Sequence, residues 1–192
     1  MIAGIVLAAG RSRRMGEPKA FLRLGGASFL ERAVAALRQG GCGAVWVVAG
    51  ADETGARVAR EAAALGAHVA VSGEPEQVDS LRIGLHALPA EAEAAAVLPV
   101  DVPEVEAATV RAVTEAFLRT RAPVVVPEQG GRHGHPVLFA RGVWPELHGE
   151  LAEGARTVVH AHAADRVEVP VSALPGDVDT PDDLRRLHAR AP

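Results

Sequence analysis

The chain alternates between short continuous apolar runs and longer stretches in which apolar residues recur at helical spacing. Ile2 to Leu7, Ala44 to Gly50 (AVWVVAG) and Ala94 to Asp101 (AAAVLPVD) show no strict apolar–polar alternation, so they read as strands covered on both faces. His68 to Val71 is a shorter run of the same kind. Between them the spacing predicts helices over Ser28–Arg38, Glu53–Leu65, Ser80–Leu88 and Ala108–Thr120. Ser28 and Glu31 form a capping-box pattern, and Gly66 is placed to end the second helix. Beyond residue 120 the pattern loosens. PVVVPE and HPVLFA read as strands flanking a Gly/His loop, followed by helical stretches near Val143–Leu151 and Ala155–His162 and a strand over Arg166–Val171. A last helix follows Thr180, with Thr180 as cap, Pro181 in the first turn and Asp183 as capping acid. Apolar strands separated by helices predict an α/β fold with a mostly parallel, mixed central sheet covered on both faces. With no repeat, low-complexity tract or linker, residues 1–192 read as a single domain.

Composition narrows the function classes. Hydrophobic residues make up 48% of the 192, which is a globular composition, and the formal net charge of −4 gives no support to a polyanion-binding or membrane-surface role. Aromatics at 3% leave little for a base-stacking surface, so nucleic acid is not the expected partner. The apolar opening is short, lacks a basic leader and runs into Arg11, Arg13 and Arg14, so it reads as a buried strand rather than a signal peptide or membrane span. Cys42 is the one cysteine; it reads as a small buried apolar residue, and a reducing cytoplasm is the expected compartment. There is no asparagine, and nineteen of the twenty basic residues are arginine. The single lysine, Lys19, therefore marks a position where a compact ammonium is wanted.

That lysine lies in LAAGRSRRMGEPK, Leu7 to Lys19, a basic loop directly after the first strand. Gly10, Gly16 and Lys19 do not meet the P-loop spacing, and the dinucleotide-binding glycine fingerprint is missing. What remains is a small-residue turn, Ala8-Ala9-Gly10, followed by Arg13, Arg14 and Lys19, a combination suited to a triphosphate, with a solvated basic loop as the alternative. In a parallel sheet ligands bind outside the carboxyl ends of the strands. This loop and Asp101, at the end of another strand, are thus the candidate site material.

LAAGRSRRMGEPK closely resembles the L-A-A-G-x-S-x-R-M-G-x-x-K signature of the molybdenum-cofactor nucleotidyltransferases. DSLRIGL (Asp79–Leu85), PVDVP, GHPVLF (Gly134–Phe139), GARTVV and DVDTPDDL resemble further motifs of that family in the same order, over essentially the whole chain. The resemblance implies a Rossmann-like, glycosyltransferase-A-type nucleotidyltransferase fold. It also implies attack of an acceptor phosphate on the α-phosphorus of a nucleoside triphosphate, with release of pyrophosphate. Arg14 and Lys19 would then cradle the triphosphate with help from Arg13, and Arg11 reads as a solvated surface arginine. Asp101 would hold Mg²⁺, with Asp179 as second ligand or, alternatively, as a helix cap.

The remaining assignments follow the same resemblance. Ser80 and Arg82 would lie near the base and sugar, Ser80 doubling as a helix N-cap. The nucleotide-binding surface would comprise Leu7, Ala8, Ala9, Gly10 and Gly73, where small residues allow close approach of backbone donors and acceptors. His135 and Pro136 would lie on the acceptor side. His133 and His135 are two apart on a strand but have no third ligand in view, which argues against zinc. LAAG, with Ala9 third, looks more like the branch using CTP and molybdopterin than the GTP branch; a GTP-dependent or sugar- or polyol-phosphate enzyme is the alternative, and a non-catalytic nucleotide-binding protein a third reading. A molybdoenzyme or its chaperone is the implied recipient of the product.

Overall fold

The computed structural model describes residues 1–10, 15–73 and 77–190. Strand β1 (Ile2–Ala8) leads through the Arg11–Arg14 stretch, which lies outside the described residues, to a short 3-10 turn at Lys19–Phe21. A small hairpin, β2 (Arg23–Leu24) and β3 (Ala27–Ser28), precedes α1 (Phe29–Gln39). There follow β4 (Ala44–Gly50), α2 (Glu53–Ala64), β5 (His68–Ser72), α3 (Gln77–His86), β6 (Ala94–Pro99) and α4 (Ala107–Thr120). The carboxyl portion contains β7 (Val124–Gln129), β8 (Arg132–His133), β9 (Val137–Ala140), α5 (Trp144–Leu147), α6 (Arg156–Ala161), β10 (Val167–Pro170) and α7 (Pro181–Arg190).

The main sheet runs β10-β7-β9-β6-β1-β4-β5, with β8 paired to β7. β9 is antiparallel to both β6 and β7; β4, β5 and β6 run parallel with β1, and β10 runs parallel with β7. This is the mostly parallel, mixed sheet that the apolar runs predicted. Successive side chains of a strand point to opposite faces, and the two cores follow that alternation. Ile2, Val6, Val47, Ala96 and Leu98 join Phe29, Leu30, Leu37, Val110 and Phe117 on one side; Ile5, Val48, Ala95 and Val97 join Leu81, Leu85, Trp144 and Leu147 on the other. Both faces of the central strands are therefore sealed, and the exposed positions left for chemistry are strand ends. Among the described residues no helix is long and apolar enough to cross a membrane.

Helix signals held well where polar chemistry marked them. Ser28 caps α1, its Oγ accepting from Glu31 N at 3.1 Å while the Glu31 carboxylate accepts from Ser28 N. Two boundaries moved. α3 begins at Gln77 rather than Ser80, because its first turn faces outward and carries no apolar period; Ser80 is inside the helix, buried, and is not its N-cap. The helix expected over Val143–Leu151 is the single turn α5, since Pro145 starts it and the chain turns away at Gly149, whose N–H donates to Glu146 O.

Gly55 shows how closely α2 sits on the sheet. A Cβ placed there would lie 1.8 Å from the Gly50 carbonyl oxygen, so only glycine lets the helix start against the end of β4.

Candidate active site

β1 sends the chain to β4 and β5 on one side, while β6 pairs on its other side, with Leu7 opposite Pro99. This reversal of strand order opens a crevice at the carboxyl ends of β1 and β6. A cleft of about 500 Å³ lies there, lined by Ala8, Ala9, Gly10, Lys19, Ser80, Asp101 and Asp179 among others.

Three sequence-distant segments bring charge into this cleft. Lys19 opens the 3-10 turn, whose following residues Ala20, Phe21 and Leu22 are buried; the Arg57 guanidinium lies 3.7 Å from the Phe21 ring centroid. These anchors fix the backbone beneath the lysine. Asp101 follows β6, where Val100 N donates to Leu7 O at 3.0 Å and carries the chain past the end of β1. The Asp101 carbonyl then accepts from Val178 N at 2.8 Å, and this bond draws the coil before α7 over the cleft.

The outcome is a charge triad. Lys19 Nζ donates to Asp101 Oδ2 at 2.9 Å and to Asp179 Oδ1 at 2.5 Å. The lysine side chain is only 14% exposed, so solvent screens these contacts weakly. Burial works against the ammonium, but the hydrogen bonds it donates to Asp179 and Asp101 outweigh it and hold Lys19 above the usual lysine range.

Asp179 stands just before α7, and the hydrogen bonds there show which side chains cap that helix. Thr180 Oγ1 accepts from Asp183 N, and Asp183 Oδ2 accepts from Thr180 N at 2.8 Å and from Asp179 N at 3.2 Å. The cap of α7 is thus built from Thr180 and Asp183, and the Asp179 carboxylate is turned to Lys19 instead. Bonds from Thr180 and Arg186 pull the Asp183 carboxyl well below the usual carboxylate range.

The other expected positions have different outcomes. Leu7, Ala8, Ala9, Gly10 and Ser80 line the same cleft, with the Ser80 and Ser72 hydroxyls 3.5 Å apart. Gly73 is exposed and lies outside the cleft lining. Arg13 and Arg14 lie outside the described residues, as does Arg11. Arg82 requires a correction. Its guanidinium pairs with Asp79 Oδ1 at 2.8 Å and donates to the carbonyls of Leu147 and Gly149, so it ties α3 to α5 away from the cleft. Those contacts set its direction: Leu147 and Gly149 offer their carbonyls on the side of α3 that faces α5.

His135 precedes β9 beside buried Pro136, and its Nδ1 is enclosed without a hydrogen-bond partner among the described residues. Burial pulls the imidazole below its usual range, opposed by the charges of Asp101 and Asp177. His133 is separate from it, on β8, with Nε2 2.9 Å from Glu168 Oε1. Among the described residues no three His, Cys, Asp or Glu side chains converge as a metal cluster. Burial pushes the Cys42 thiol up to about 12, which leaves it chemically inert. The sequence reading missed Thr54, Val58, Gln77 and Pro99, which also line the cleft. Thr54 and Pro99 could have been found from their places in the first turn of α2, which follows β4, and at the end of β6.

Comparison with known proteins agrees with this geometry. Residues 4–167 match the model of the MobA-like NTP transferase domain. The chain belongs to this family and is a nucleotidyltransferase. It is 32% identical over 200 residues to a protein of Mycobacterium avium (strain 104) named probable molybdenum cofactor guanylyltransferase, covering 99% of this chain and 97% of that one. Among solved structures, Rv0371c from Mycobacterium tuberculosis H37Rv superposes with a TM-score of 0.86 at 33% identity, over 98% of each chain. A structure of Rv0371c in complex with manganese gives a TM-score of 0.81 at 31% identity, again over 98% of each chain.

Proposed function

We propose that the protein transfers a nucleotidyl group from a nucleoside triphosphate to the phosphate of a molybdopterin-type acceptor, acting in the cytoplasm as one domain over residues 1–192. The observation that carries the reading is the meeting of Lys19, Asp101 and Asp179 at the mouth of the switch-point cleft. An acceptor phosphate oxygen bonds to the α-phosphorus, the bond from that phosphorus to the β-phosphate bridge oxygen breaks, and pyrophosphate leaves with the electron pair. Such transfers depend on positioning and on neutralising charge rather than on a covalent side chain. That suits a cleft with no activated nucleophile among its described residues.

Two carboxylates whose oxygens converge on a single point suit a hard divalent cation that completes its shell with waters and phosphate oxygens. Asp101 and Asp179 would hold Mg²⁺, and when bound that ion neutralises charge on the triphosphate and the departing pyrophosphate. Lys19, with Arg14 and Arg13, holds the phosphates. Leu7, Ala8, Ala9, Gly10 and Ser80 form the wall for base and sugar, with Gly73 at its margin. His135 and Pro136 stand toward the acceptor, where a neutral imidazole offers a hydrogen bond without adding charge.

Ala9 at the third position of LAAG favours CTP. The second reading, GTP, is favoured by the name of the Mycobacterium avium relative. A molybdoenzyme or its chaperone is the proposed recipient. The test is a screen of CTP, GTP, ATP and UTP against molybdopterin and a set of sugar and polyol phosphates, with pyrophosphate release as the readout. Release with CTP and molybdopterin is expected; release only with another base or acceptor replaces that choice, and no release from any pair overturns the reading.

A further inference from the structure

We propose that Lys19 is an internal counter-ion that competes with the divalent cation for the Asp101–Asp179 pair, so that metal uptake is weak until a triphosphate draws the ammonium away. The inference rests on the reading of that pair as the cation site, and it deepens it by coupling the two ligands.

The geometry supports the competition directly. The two carboxylates approach from different segments, one after β6 and one before α7, and the point on which both oxygens converge is occupied by Lys19 Nζ, at 2.9 and 2.5 Å. A divalent ion bridging the same two oxygens would stand where the ammonium stands. Two cations held that close, with the lysine side chain only 14% exposed, repel each other strongly. One of them must leave.

The lysine is the group able to move. Its backbone is pinned by the buried Ala20-Phe21-Leu22 segment, but four flexible methylenes separate the ammonium from that anchor. The two carboxylates are less free: Asp101 is at a strand end tied to β1 and to Val178, and Asp179 is tied through its N–H to Asp183. A triphosphate entering the cleft offers the ammonium a new set of oxygens and leaves the pair to the metal. The coupling is reciprocal: whatever factor the triphosphate adds to metal affinity, the metal adds to triphosphate affinity. It also explains a preference for lysine over arginine at this position, because a compact ammonium can sit between two carboxylates and still swing out.

The probe is Mn²⁺ alone, followed by electron paramagnetic resonance and by the shift in Tm, with no nucleotide present. Lys19→Met should bind Mn²⁺ tighter than wild type by about tenfold or more. Lys19→Arg, which keeps the positive charge beside the pair, should gain less than Lys19→Met, and an equal gain in both would overturn the proposal. Combining Lys19→Met with Asp179→Asn should remove the gain. Lys19→Gln serves as a second neutral variant, and far-ultraviolet circular dichroism verifies folding. Equal Mn²⁺ affinity in wild type and both neutral variants, including binding too weak to detect in all three, overturns the proposal. So does a gain that survives Asp179→Asn. Metal binding is read without turnover, so tighter Mn²⁺ binding in Lys19→Met beside a failed pyrophosphate screen would overturn the function and leave the counter-ion standing.

Discussion

The two sides of the cleft are built by different means. The amino-terminal side, β1, β4, β5 and β6 with the helices over them, is held by parallel register and by close contact of helix on strand; Asp101 stands at a strand end and Lys19 in the turn that packs beside it. The carboxyl-terminal side brings Asp179 in on a coil, through one backbone hydrogen bond from Val178 to Asp101 and the cap of α7. On the first side position follows from topology. On the second it follows from a few directional bonds.

The largest effect tests whether the two sides work as one site. Asp101→Ala and Lys19→Ala should each lower turnover about 100-fold or more while circular dichroism stays native, since both replace groups at a strand end or in a turn rather than in the core. Turnover near wild type in either variant would separate the triad from the chemistry. Packing gives a sharper contrast between the sides. Gly55→Ala forces a methyl into the Gly50 carbonyl and should cost about 3 kcal/mol in chemical denaturation. Gly142→Ala, where an added Cβ meets nothing within 4 Å, should stay within about 0.5 kcal/mol of wild type. Similar costs at both positions would erase the difference in packing.

The smallest effect is a pH dependence on the carboxyl-terminal side. His162 lies between Asp165 Oδ1 at 3.0 Å and Glu146 Oε2 at 3.1 Å and ties α6 to α5. Burial lowers its pKa, but the bonds to the two carboxylates outweigh that and leave it raised. A raised histidine stabilises the fold fully below its unfolded pKa of about 6.5 and loses that contribution as pH rises through the higher folded value. His162→Gln should therefore lower Tm more at pH 5.5 than at pH 8.5, by the equivalent of about 0.5 kcal/mol. An equal gap at both pH values would remove the histidine from the stability of this region.

Much of this was legible in the residues. Apolar runs located β1, β4 and β6, the Ser28–Glu31 box located α1, and the motif-bearing stretches led to the family that comparison confirms. Lys19 and Asp101 stood out for reasons local to the chain, one as the single lysine and the other as a carboxylate closing a buried strand. The start of α3 leaves no periodic trace because its first turn carries no apolar repeat, the ties of Arg82 to Leu147 and Gly149 join distant segments, and Thr54 and Gln77 carry no motif at all. The central strands and the caps at Ser28 and at Thr180 with Asp183 are decided by neighbours a few residues away, so the sequence alone determined them. The turning of Asp179 from helix cap to cleft, and the placing of one ammonium between two carboxylates 82 and 160 residues distant, required bonds between segments that only the folded sheet brings together. Those contacts belong to the tertiary structure because their geometry is set by distance in space, which spacing along a chain does not encode.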